Sequence, residues 1–80
     1  LENRDIDTLG PDAQAQVACA YRTLGEVIKH SQGNAQAKPL FREAHRLADR
    51  ILDQAPHHRE GLYERGNASY WLGLLHFDAK

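Results

Sequence analysis

Apolar positions recur at helical spacing in three segments of this chain, and turn residues separate the segments. In the first segment the apolar positions fall three or four residues apart, at Val17, Ala20, Tyr21, Leu24, Val27 and Ile28. The second segment carries the cleanest stripe: Leu40, Phe41, Ala44, Leu47, Ala48, Ile51, Leu52 and Ala55. The sequence contains no alternating run of the kind that marks a half-buried strand. The pattern therefore predicts an all-α fold, with an antiparallel helical hairpin followed by a third helix.

Turn residues set the expected ends of these helices. Pro11 in "LGPD" favours a helix start, because its missing N–H costs nothing there. In "SQGN", Gly33 suits a left-handed C-terminal position and Asn34 suits an N-cap. Pro56 in "QAPHH" pushes the residue before it out of the helical region. We expect helices over 12–31, 35–54 and 59–80, and divide the chain into an N-terminal extension (1–11), a hairpin (12–56) and a third helix (57–80).

The third segment is apolar on most of its sides near the C-terminus, at Tyr70, Trp71, Leu72, Leu74, Leu75 and Phe77. A helix that is apolar all round is buried on more than one side. The segment also contains Gly61, Gly66 and Gly73, and each glycine costs about 1 kcal/mol relative to Ala inside a helix. We therefore expect a neighbouring helix to approach closely at these glycines. If the chain exists alone, we expect it to self-associate through residues 70–77.

Residues 18–44, "ACAYRTLGEVIKHSQGNAQAKPLFREA", resemble the tetratricopeptide (TPR) repeat. That pattern has an aromatic residue, a Leu-Gly pair, a large residue, a turn glycine, and Ala, aromatic and Ala on the second helix. Here these are Tyr21, Leu24-Gly25, Ile28, Gly33, Ala37, Phe41 and Ala44. "LGPD" and "AKPLF" resemble the long kinesin-light-chain-like repeats common in bacterial proteins. The resemblance implies a fragment of an α-solenoid, and Gly25 would let the second helix approach while Phe41 fills the space between the helices.

A second copy of the pattern begins in the third segment, in one of two registers. "EGLYERGNASYWLG" resembles the first helix of a repeat if Gly66 matches Gly25. Alternatively Leu72-Gly73 matches Leu24-Gly25, which makes the repeat 48 residues long from Gly25 to Gly73. We prefer the second register because it retains the Leu-Gly pair. Both registers make 59–80 a first-type helix whose second-type partner is missing from this chain.

The resemblance implies a non-enzymatic module that binds a protein or peptide partner in a groove lined by its first-type helices. By position, the groove residues would be Cys19, Arg22, Glu26, Lys29 and His30, and then Asn67, Tyr70, Leu74, Phe77 and Asp78. Arg22, Lys29 and Asn67 are of the types that hold a carboxylate by charge-assisted hydrogen bonds. Glu26 stands where carboxylate-binding TPR repeats tend to have Asn, which argues against an acidic C-terminal ligand. Trp71 and Leu75 would pack partly on the second helix, and with Phe77 partly on the next repeat or a second copy. For each groove residue the alternative is an ordinary solvent-facing position.

Bulk composition excludes several classes of partner. Ten Lys plus Arg nearly balance eleven Asp plus Glu, so the basic excess of a nucleic-acid-binding domain is missing. No apolar run approaches the ~20 residues needed to cross a bilayer, so we expect no membrane partner. The first residues contain no secretory signal, and we predict a cytoplasmic protein. Because position 1 is not Met, we expect the chain to be processed or to be part of something longer.

Catalytic motifs are missing from the sequence, which contains no phosphate-binding loop, nucleophile elbow or zinc-binding HExxH. We therefore predict no enzymatic activity and no cofactor. One rival hypothesis is a small helical enzyme or metal protein that uses His57, His58, Glu60 and Glu64. Their spacing is not specific for metal, which favours ordinary surface histidines. The other rival is a regulatory domain that senses a ligand or peptide and is attached to an effector domain.

Overall fold

The computed structural model describes residues 9–78, with side chains through residue 75. These residues form three helices: α1 (Pro11–Gln32), α2 (Asn34–Gln54) and α3 (Arg59–Asp78). The described part of the chain contains no strand, and the predicted all-α fold, a helical hairpin followed by a third helix, is confirmed. The helix ends lie close to those expected from the turn residues, although most of the N-terminal extension, residues 1–8, lies outside the described residues.

Helix directions follow from the contacts along them. α2 runs antiparallel to α1, because Ala18 packs on Leu47 near one end of the hairpin and Gly25 lies against Phe41 nearer the turn. α3 then runs back along α2, so α1 and α3 are parallel and both pack on α2. The central helix therefore contributes most of the core.

A single residue, Gly33, joins α1 to α2. Its φ of 106° is a conformation that L side chains rarely adopt, so glycine is required at this turn. Its N–H donates to the Ile28 carbonyl at 3.1 Å, which caps α1, and its own carbonyl accepts from the Ala37 N–H at 3.3 Å. The predicted role of Gly33 is confirmed. The prediction of Asn34 as N-cap is wrong, because Gly33 serves both helices and Asn34 is already the first residue of α2.

The apolar stripe predicted for α2 forms the centre of the core. Phe41, Leu47 and Ile51 are fully buried, and burial of such side chains contributes about 1.5–3 kcal/mol each. Three small residues of the same face are also fully buried, at Ala37, Ala44 and Ala48. Small and large side chains thus alternate along the surface that α2 shares with its two neighbours.

The face that α1 buries differs from the one its hydrophobic pattern predicts. Leu24 is 48% exposed and Val27 is 56% exposed, and Ala20 is also exposed. Val17, Tyr21 and Ile28 are half-buried, whereas the buried positions of α1 are Gln14, Ala15, Ala18 and Gly25. The prediction is wrong because α1 contacts two helices at once. Small residues allow α2 to lie close, and this rotates the larger apolar side chains of α1 toward solvent.

The glycines of α3 divide into two kinds. A Cβ added at Gly61 would lie 2.7 Å from Ile51 Cγ2, so glycine is needed for the close approach of α3 to α2. A Cβ at Gly66 or Gly73 would meet nothing within 4 Å. The expectation of a close neighbour is confirmed at Gly61, whereas Gly66 and Gly73 lie on a face that the described residues leave open, and there it stays a prediction.

The apolar C-terminal half of α3 packs on α2. The Trp71 ring stacks on Phe41 with centroids 5.5 Å apart and planes 6° from parallel. Leu75 is only 2% exposed and joins Ala37 and Phe41 in one apolar cluster. Leu75 is therefore covered by its own chain. The side chain of Phe77, which we expected beside these residues, lies outside the described side chains.

Candidate binding groove between the first and third helices

An open groove of about 680 Å³ lies between the parallel helices α1 and α3. We call it the α1–α3 groove. Most of its lining surface is apolar, and its lining residues are Asp12, Ala15, Gln16, Cys19, Arg22, His58, Arg59, Glu60, Tyr63 and Glu64. A mostly apolar concavity with a few convergent polar groups is the usual form of a binding site.

A buried ion pair joins the two helices at this groove. Arg22 Nε donates to Glu64 Oε1 at 2.6 Å and Arg22 Nη2 donates to Glu64 Oε2 at 3.3 Å, a bidentate arrangement. Arg22 Nη1 also donates to Glu26 Oε2 at 2.6 Å, one helical turn further along α1. The side chains of Arg22 and Glu64 are only 14% and 5% exposed. Burial makes ionic groups costly, so the multiple charge-assisted hydrogen bonds offset that cost.

The guanidinium of Arg22 is held in its charged form. Its hydrogen bond to Glu64 raises the pKa of Arg22, and Glu26 adds to this, while burial acts in the opposite direction. The pKa of Arg22 lies above its already high ordinary value, so the residue is charged at neutral pH. Arg22 is therefore a permanent cation whose hydrogen bonds are directed to two carboxylates.

Tyr63 forms an aromatic wall of the groove. Tyr63 is 60% exposed, and Arg22 Cζ lies 5.7 Å from the ring centroid on one side. Cys19 lies across the groove on α1, with its Sγ 3.5 Å from Arg22 Nη2. An exposed ring next to a fixed cation provides contact area at a low cost in conformational entropy.

His58 connects the start of α3 to the start of α1. Its Nδ1 accepts a hydrogen bond from the Gly61 N–H at 3.1 Å, which caps the N-terminus of α3. Its Nε2 lies 2.6 Å from Asp12 Oδ1. A neutral imidazole with its hydrogen on Nε2 satisfies both contacts. The two walls of the groove are thus tied together at the His58 end as well as at Arg22.

The structure distributes the predicted groove residues over a longer surface. Arg22 lines the groove and Glu26 is bonded to it. Lys29 lies further along, with its Nζ 5.9 Å from the centroid of the Trp71 ring. Asn67 Nδ2 donates to the Tyr63 carbonyl at 3.0 Å. Lys29 and Asn67 thus lie outside the lining of the groove, and their role in binding stays a prediction.

The remaining predicted residues lie on the C-terminal half of α3. Tyr70 is 62% exposed and meets Trp71 edge-on, with centroids 5.8 Å apart. Leu74 is half-buried. Trp71 packs on Phe41 and Leu75 is buried within the chain. A second copy or a following repeat would therefore contact the exposed Tyr70 more readily than Trp71 or Leu75. Self-association through this helix stays a prediction.

Sequence reasoning missed Tyr63 as a groove residue and missed the partner of Arg22. A signal for the latter exists in the sequence: Glu64 falls on the same helical face as Gly61, Ala68 and Leu75, all of which are buried. An acidic residue in the middle of a packed face requires a partner of opposite charge. The pattern does not say which of the chain's cations fills that role.

The rival metal hypothesis finds no cluster in the described residues. Nowhere among them do three or more His, Cys, Asp or Glu side chains converge as metal ligands would. Glu64 is bonded to Arg22, His58 is bonded to Asp12 and Gly61, and His57 is exposed. None of the described helices is long and apolar enough to cross a bilayer.

Comparison with known proteins leaves the family undetermined. No protein-family model, no curated protein and no solved structure matches the chain. The resemblance to TPR repeats accordingly depends on the residues of the chain itself and on how they pack.

Proposed function

We propose that this protein is a non-enzymatic, TPR-like interaction module that binds a segment of a partner protein in the α1–α3 groove. The observation that carries the proposal is the groove itself: two parallel helices enclose a mostly apolar concavity of about 680 Å³ with an exposed tyrosine on one wall. Tyr63 would act as the central contact, since exposed aromatic residues in pockets often dominate binding energy.

The walls of the groove are held before a partner arrives. Arg22 joins them to each other through Glu64, and Asp12 and His58 join them at one end. Preorganisation of this kind lowers the entropy that binding must overcome. The groove is therefore suited to receive a flexible segment without rearranging itself.

Packing within the hairpin supports the TPR-like character. A Cβ at Gly25 would lie 2.9 Å from Phe41 Cε1 and Cζ, so the glycine and the aromatic residue fit as the repeat pattern requires. Ala37 and Ala44 flank Phe41 and are fully buried. On α3 the face bearing Gly66 would receive the following helix of a larger array.

Lateral contacts support the shorter of the two repeat registers. Arg22 and Glu64, which are 42 residues apart, lie at the same level of the parallel helices. Gly66 follows Gly25 by 41 residues, whereas Gly73 follows it by 48. Equivalent residues of neighbouring repeats lie at similar levels, so these contacts favour Gly66 as the counterpart of Gly25, against the register that retains the Leu-Gly pair.

A peptide selection tests the proposed site. Peptides are selected from a random displayed library on the purified chain, and the affinity of a selected peptide is measured for Tyr63→Ala and for the control Leu62→Ala. Leu62 is 50% exposed on the same helix but does not line the groove. We expect Tyr63→Ala to weaken binding by about tenfold or more, and Leu62→Ala to leave it nearly unchanged. Equal effects of the two substitutions would contradict the proposed site.

A further inference from the structure

The charges that the α1–α3 groove offers to a ligand are mainly negative. Asp12 and Glu60 both line the groove, and their side chains are 94% and 68% exposed. Of the two arginines in the lining, Arg22 already binds two carboxylates. Only Arg59, at the start of α3, offsets the accessible carboxylates with an exposed cation.

The side chains that the TPR pattern predicts to bind a ligand carboxylate make other contacts in the structure. Arg22 is bonded to Glu26 and Glu64, and the Lys29 ammonium lies over the Trp71 ring. Asn67 uses its amide Nδ2 on a backbone carbonyl of its own helix. A ligand with an acidic end would therefore have to displace existing contacts, and it would also approach exposed carboxylates of its own sign.

We infer that the segment bound in the α1–α3 groove is basic, with a Lys or Arg side chain lying along Tyr63 near the exposed carboxylates of Glu60 and Asp12. This inference rests on the proposed function and adds the chemical class of the partner. The exposed tyrosine face attracts a cation, and the carboxylates attract it further. Charge complementarity of this kind accelerates association and rejects partners of the same sign. The apolar stem of the basic side chain would cover Ala15 and the ring of Tyr63.

Three matched peptides test the charge preference. They share one alanine–leucine framework and carry Lys, Ser or Glu at the same positions, and each is titrated into the isotopically labelled full chain at low salt. The amide shifts of residues 12–26 and 58–64 report binding at the groove. We expect the Lys peptide to bind about tenfold or more tightly than the Ser peptide, with the Glu peptide weakest. The preference should decrease as salt is added, since salt screens exposed charges.

Charge-neutralising variants test whether the preference for the Lys peptide arises from the carboxylates of the groove. Glu60→Gln should reduce the advantage of the Lys peptide over the Ser peptide by about threefold or more. The matched control Asp53→Asn removes an exposed carboxylate from α2, outside the groove, and should leave that ratio unchanged. An equal reduction by both variants would show a nonspecific charge effect and would overturn the inference.

The remaining outcomes separate this inference from the proposed function. If the Ser or Glu peptide binds the groove as well as the Lys peptide, the inference is refuted while the groove remains a peptide site. If none of the three peptides shifts the groove residues, the inference is also refuted. The library selection with Tyr63→Ala and Leu62→Ala then decides the proposed function independently.

Discussion

Replacing Gly25 by alanine adds one methyl group where α1 lies against the Phe41 ring of α2. That Cβ would lie 2.9 Å from Phe41 Cε1 and Cζ and 3.1 Å from Cδ1. The ring cannot move aside freely, because it is fully buried and stacks on Trp71. Any displacement is therefore passed on to α3.

Two opposing effects decide the stability of Gly25→Ala. Overpacking a well-packed core costs about 1–3 kcal/mol. Alanine in place of glycine stabilises a helix interior by about 1 kcal/mol. The overpacking is the larger effect, so we expect a net loss of about 1 kcal/mol in the free energy of unfolding. Gly66→Ala is the matched control, because nothing lies within 4 Å of its added Cβ and only the helical gain of about 1 kcal/mol remains.

Urea denaturation followed by circular dichroism measures both variants. We expect midpoints displaced in opposite directions, with the two variants separated by about 2 kcal/mol. A second variant, Gly25→Ala combined with Phe41→Leu, should recover part of the loss because the smaller side chain leaves room for the methyl group. If Gly25→Ala stabilises the protein as much as Gly66→Ala, the close packing of α1 on α2 is wrong.

Two further substitutions test the ties between α1 and α3. Glu64→Gln should lower the free energy of unfolding, measured by urea denaturation, by about 2 kcal/mol, because it leaves the buried Arg22 cation without its main counterion. The double variant Glu64→Leu with Arg22→Met should be considerably more stable than Glu64→Leu alone. A double variant whose loss equals the sum of the two single losses would contradict the pairing. His58→Ala should lower the free energy of unfolding, measured by thermal denaturation, by about 1 kcal/mol because the Gly61 N–H loses its acceptor. His58→Asn should retain most of the stability, and equal losses for the two variants would argue against the cap.

Hydrophobic periodicity and turn residues predicted the parts of this fold in which one face of a helix packs on one neighbouring helix. The stripe of α2 was predictable because Phe41, Leu47 and Ile51 are large, apolar and regularly spaced. Gly33 was predictable because a turn with positive φ favours glycine. The fit of Gly25 against Phe41 was implied by the resemblance to the TPR pattern.

The rotation of α1 and the ion pair that joins the walls of the groove were not predictable in the same way. A hydrophobic pattern ranks Leu24 and Val27 above Ala18, but the small residue allows the closer approach and is the one buried. Arg22 and Glu64 are 42 residues apart in the sequence. No rule based on sequence spacing picks out Arg22, among the cations of the chain, as the partner of Glu64. Contacts of this kind depend on how three helices settle against each other.

The most direct test of the central claim, that the α1–α3 groove receives a partner segment, uses the single cysteine of the chain. Cys19 lines the groove, so a bound segment should shield its thiol. The rate of Cys19 alkylation is measured with and without a saturating library-selected peptide, and with Tyr63→Ala as the variant that weakens binding. We predict that the peptide slows alkylation of the wild-type chain and has little effect on Tyr63→Ala at the same concentration. An unchanged rate while the peptide is bound would place its site elsewhere on the protein.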